Sequence, residues 1–121
     1  MRILVCENVA EKPVIWLGTS RRDLRGFPAD ARQVAGFQLW RVQRGLEPND
    51  WKPLPTVGLG VREIRVRTGL EHRVVYLVKF EEAVYVLHAF EKRSQRTPKR
   101  ELEQARQRLR LLLKQRPQAG R

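Results

Sequence analysis

The stretch Val61–Phe90 limits what this chain can fold into more than any other. It holds three apolar runs, rich in β-branched and aromatic residues, with connections too short for a helix between them. Val61 to Arg67 alternates, placing Ile64 and Val66 inward and Glu63, Arg65 and Arg67 outward. Arg73 to Phe80 is continuous, as expected of a central strand covered on both faces. Val84 to Phe90 is the third run. Thr68-Gly69 and Glu81-Glu82 supply the turns, and such tight connections impose an antiparallel meander.

The flanks read as helices. Pro13–Leu17 is a short strand closed by Gly18, after which Thr19 or Ser20 caps a basic helix that Gly26 ends. Pro28 suits the first turn of a second helix running to about Arg44, with Gly45 as its stop. Its core stripe is Ala31, Ala35, Leu39, Val42 and Leu46. Glu47–Gly60, broken by three prolines and two glycines, reads as a loop, in which Trp51 either plugs the core or touches a base beside Lys52. Past the meander, Thr97 as cap and Pro98 in the first turn start a final helix. Leu102, Ala105, Leu109, Leu112 and Leu113 form its buried stripe, with Arg100, Arg106, Arg108 and Arg110 pointing elsewhere. The expected order is β-α-α-β-β-β-α, an α+β fold with helices on a small antiparallel sheet. A length of 121 residues suits one domain, with 117–121 as a frayed tail.

Charge narrows the function. The chain carries 25 Lys+Arg against 13 Asp+Glu, a net +12. From His88 to Arg121 there are 11 Lys/Arg and 3 Glu, so this last part alone carries +8. Clustering of this kind, with arginine favoured over lysine, points to a polyanion, because arginine forks match phosphate oxygens. Cys6 is the only cysteine, which leaves no internal disulfide and no cysteine-built metal site. The acidic residues are scattered rather than grouped as metal ligands, so neither a metal nor another cofactor is expected. No apolar run approaches the roughly 20 residues of a membrane span. Met1–Cys6 is too soon interrupted by Glu7 and Asn8 for a signal peptide, so a cytoplasmic protein is expected.

Three segments carry a family likeness: Val61-Arg62-Glu63-Ile64-Arg65-Val66, His72-Arg73-Val74-Val75-Tyr76, and the run from Leu87 to Glu101. The last reads His88-Ala89-Phe90-Glu91-Lys92-Arg93-Ser94-Gln95-Arg96-Thr97-Pro98, similar to the HAFxKKxQKTP signature of phage-derived HigB-type toxins. From Lys12 to Lys114 the chain resembles this branch of the RelE/ParE superfamily. The resemblance implies a RelE-like fold and the toxin of a type II toxin–antitoxin pair. It also implies an endoribonuclease that cuts mRNA on the ribosome, neutralised by a helix-turn-helix, HigA-like antitoxin.

Cutting RNA without a metal requires a deprotonated 2′-hydroxyl held in line, charge stabilisation at phosphorus, and a proton for the leaving oxygen. Arginine meets the second need. Arg73 matches the arginine that opens the central strand in RelE-like toxins, and Arg65 matches a basic position of relatives. Lys92, Arg93 and Arg96 follow the last strand at the edge of the same face, with Arg67, Lys99, Arg100 and Lys52 as further RNA contacts. For proton transfer the chain has only His88, which belongs to the signature, and His72, which reads as an exposed turn residue. The acid and base stay open. The rival reading keeps the fold but acts by binding DNA gyrase, as ParE-like members do. A plain single-strand binder is disfavoured because aromatic stacking platforms are few.

Overall fold

A computed structural model describes residues 11–116. The Met1–Cys6 run and the tail from Pro117 lie outside those residues. The elements are β1 (Val14–Trp16), α1 (Ser20–Arg25), α2 (Ala29–Gln43), β2 (Trp51–Pro53), β3 (Val61–Arg67), β4 (Glu71–Leu77), β5 (Val84–Glu91) and α3 (Lys99–Gln115). The five strands form one sheet in the order β1-β5-β4-β3-β2. The β3-β4-β5 meander is antiparallel, as its short connections require, and β4 lies at the centre with both faces covered.

Two features depart from the expected order. β1 pairs parallel to β5, so the sheet is mixed rather than antiparallel. The segment expected to be all loop contains β2, which pairs with β3 through Trp51↔Ile64 and Pro53↔Arg62. Pro53 is tolerated there because β2 is an edge strand and needs no donor on its outer side.

Each face of the sheet has its own apolar layer. On one, Leu24, Phe27, Ala31, Ala35, Leu39 and Val42 of the α1–α2 half pack on Ile64, Val66, Val74, Tyr76 and Val86. On the other, Ala105, Leu109 and Leu112 of α3 pack on Val61, Val75, Leu77, Tyr85 and Leu87. Small residues at 31 and 35 let α2 lie close to the sheet. Leu46 and Leu113, assigned to the core stripes, are instead about half exposed. Val34, Phe37 and Trp40 make a second apolar strip on the outer side of α2, with the Phe37 and Trp40 rings 5.8 Å apart.

The helix starts also differ from expectation. Thr19 stands at the start of α1, but its hydroxyl goes to the Asp23 carboxylate at 2.8 Å instead of a backbone N–H. The cap position of α3 belongs to Pro98, not Thr97. Pro98 holds extended backbone there, and its missing N–H costs nothing at a helix start. A β-bulge at Val75/Tyr76 inserts one residue into β5, and both Leu87 and His88 face α3 in consequence.

Candidate nucleic-acid interface

The α3-side face of the sheet carries a strip of charge beyond the end of its apolar layer. Arg65 and Arg73 are cross-strand partners, an arrangement that repels unless acids stand between them. Three acids do. Asp50 accepts from Arg65 at 2.9 Å and lies 3.6 Å from Arg67. Glu63 takes Arg73 at 3.1 Å and Lys52 at 3.4 Å, while Glu71 takes Arg73 and lies 3.5 Å from Arg67. The hydrogen bond from Arg73 holds the Glu71 carboxyl below its ordinary range, helped by the charges of Arg73, Arg67 and Lys92.

The structure thus brings Lys52 of β2 and Arg67 into one strip with Arg65 and Arg73. Glu63, expected to point into solvent, is fully buried beneath them because it neutralises Arg73. Arg73 is itself only 5% exposed, its Nε has no partner, and Glu63 keeps one oxygen unpartnered. Both terminal nitrogens of Arg73 bind carboxylates, so a phosphate reaches this guanidinium only if the more exposed Glu71 swings aside.

The basic loop begins next to this strip. Lys92 N–H donates to the Glu71 carbonyl at 2.8 Å, which seats the loop at the end of the sheet. The Lys92 ammonium donates to the Ser94 and Gln95 carbonyls at 2.5 and 2.6 Å, so it shapes the loop around itself. Arg93, Arg96, Lys99 and Arg100 are exposed. Trp51 is half-buried, and the Arg62 guanidinium lies over its ring at 4.2 Å.

The histidines take no part in the ion pairs of the strip. His88 is buried, with Nε2 2.6 Å from Glu101 and Nδ1 3.2 Å from the Arg108 guanidinium. Arginine can only donate, so Nδ1 accepts and Nε2 carries the proton toward Glu101. Burial holds His88 below the usual histidine range, and Glu101 offsets only part of that. His88 therefore has no free nitrogen and moves a proton only by leaving one of these partners. His72, expected in an exposed turn, is buried on the opposite face, 4.3 Å from the Phe27 ring, and its pKa too is lowered by burial.

Sequence reasoning missed Arg108, which was expected to point elsewhere than the core. It is buried and donates to the Leu87 carbonyl at 3.0 Å and the Thr19 hydroxyl at 2.9 Å. It also missed the three carboxylates of the strip. Their signal was present in the alternation of Glu63 with Arg65, but only the strand register shows that the acids interleave the arginines.

Residues 22–110, well over half of the chain, match the family model described as Phage derived protein Gp49-like (DUF891). The chain belongs to this Gp49-like family. The family is toxin-like and associated with toxin–antitoxin systems, which implies an antitoxin as partner of this Gp49-like chain. Strip and basic loop both fall within the matched residues. No curated protein matches the chain. Among the described residues, no helix is long and apolar enough to cross a membrane.

Proposed function

We propose that this Gp49-like protein is the toxin of a type II toxin–antitoxin pair and acts as a metal-independent endoribonuclease on mRNA held by the ribosome. The observation that carries the reading is the junction of the buried Arg73 network with the exposed basic loop at Glu71 and Lys92. Arg73 becomes available to the scissile phosphate when Glu71 yields to it, and Arg93 and Arg96 take the neighbouring phosphates. Lys92 holds the loop in the shape that presents them. With both His88 nitrogens engaged, in-line positioning and phosphate stabilisation are the chain's own contribution, and the ribosome completes the geometry of proton transfer. The antitoxin, a helix-turn-helix protein of HigA type, would keep this face from RNA.

The test is inducible expression in a bacterium, with primer extension on a reporter mRNA that is either translated or blocked at initiation. The reading expects growth arrest with new 5′ ends on translated message alone. Arrest with intact mRNA would contradict it and redirect the search to a protein target such as gyrase.

A further inference from the structure

A cavity of about 410 Å³ opens beside β5, on the edge left free beyond the Val86 register of β1. Phe27, His72, His88, Phe90, Glu91 and Glu101 line it. Its walls carry two aromatic pairs, Phe27 with His72 at 4.3 Å and His88 with Phe90 at 5.2 Å, the second with its planes 25° apart. His72 is 1% exposed, and its Nδ1 has no hydrogen-bond partner. A buried polar atom without a partner in the chain calls for one from water or a ligand.

The charges around this cavity are layered. Asp23, Glu91 and Glu101 line it, and each pairs with a solvent-exposed arginine: Arg22, itself at the cavity wall, at 3.5 Å, Arg93 at 3.2 Å and Arg100 at 3.6 Å. The three arginine side chains are 78%, 82% and 86% exposed. Acceptors inside and arginines at the rim suit a ligand with hydrogen-bond donors on a flat apolar body and phosphate at its ends. A simple cation would satisfy the wall and be repelled by the rim. The cavity's histidines and carboxylates do not converge on a metal-holding group.

The carboxylates differ in what they have left to give. Glu101 is committed to His88 and Arg100, and Asp23 to Thr19 and Arg22. Glu91 uses only Oε1, on exposed Arg93, and is the cross-strand partner of His72. Among the RNA bases, guanine alone presents two adjacent donors, N1–H and the 2-amino group, the edge a carboxylate reads best. Unstacked bases of single-stranded RNA are read in this way, by stacking and by their pairing edges. Phe90 is also the cross-strand partner of Arg73, so the cavity adjoins the charged strip.

We propose that this cavity takes one unstacked guanine of the bound RNA, read by Glu91 and bounded by the His/Phe pairs, with its flanking phosphates on Arg22, Arg93 and Arg100. The inference rests on the RNA-binding reading above and adds a base preference to it. It is tested with the full-length chain by fluorescence anisotropy at one fixed salt concentration. The probes are 2′-O-methyl pentanucleotides AAGAA, AAIAA (inosine), AAAAA and AAUAA. The guanine oligomer should bind about tenfold tighter than the adenine one, and inosine, lacking the 2-amino group, should lose most of that gain. Glu91→Gln should abolish the preference, so that its guanine and adenine oligomers bind alike, and its urea midpoint reports whether the variant is folded. Arg22→Ala/Arg100→Ala should weaken all four alike. Equal binding of the four by wild type, or a preference that survives Glu91→Gln, overturns the guanine site and leaves RNA binding standing. No binding of any oligomer overturns the RNA reading and this site with it.

Discussion

Arg73 sits between two carboxylates, and removing it leaves Glu63 charged and buried with only Lys52 beside it. Breaking a buried pair in this way costs about 3 kcal/mol or more, so Arg73→Ala should lower the urea midpoint sharply. Arg73→Met/Glu63→Leu, which removes both charges, should recover most of that loss. Failure of the double variant to recover would mean the pair does not carry the stability assigned to it. An activity assay on Arg73→Ala alone would mix unfolding with chemistry. The two histidines give a second expectation. Burial holds both below the ordinary 6.5 in the folded chain, so the unfolded chain binds protons first as pH falls. Stability should be full above about pH 6.5 and be lost as pH drops from there toward the lowered folded values. Thermal midpoints across this range should show the decline, less steep in His88→Asn. A flat profile would contradict the placement of these rings.

At the scale of elements, α3 is held to the sheet by an apolar stripe and by the buried Arg108 fork that joins Thr19, Leu87 and His88. Gly18 lies directly under that fork with φ +56°, where an added Cβ would collide with the Arg108 guanidinium. Gly18→Ala should therefore destabilise by about 2 kcal/mol through backbone strain and displacement of Arg108. Gly45→Ala, also at positive φ but with open space around it, should cost only about 1 kcal/mol. Chemical denaturation of the two variants separates these values, and equal costs would count against Arg108 as the clasp. The meander, both long helices and the α3 stripe were legible because hydrophobic period and turn residues are local signals. β2 was not, since three residues containing a proline become a strand only when β3 offers an edge. Arg108 was misread for a similar reason. A helical arginine reads as solvent-facing unless the carbonyl and ring nitrogen it will meet are known, and those belong to β5.

Across the whole molecule, the sequence made the surplus of +12 and its concentration in the C-terminal part plain. It did not show that the strip around Arg73 is nearly neutralised by its own acids, which leaves Arg93, Arg96, Lys99 and Arg100 as the exposed cations that the proposed RNA substrate would meet first. The salt dependence of RNA binding should follow that division. Each phosphate contact on a single strand contributes about 0.7 to the slope of log K against log salt, so Arg93→Ala/Arg96→Ala should reduce it by about 1.4. An unchanged slope would place the phosphates elsewhere. The most direct test of ribosome-dependent cleavage uses purified components: the protein, a defined mRNA, and ribosomes paused with a known codon in the A site. Cleavage is expected within that codon in the presence of ribosomes, with none on the same mRNA alone and loss of cleavage in a folded Arg93→Ala/Arg96→Ala chain. Intact mRNA on ribosomes paused this way, with protein shown to be folded, would contradict it.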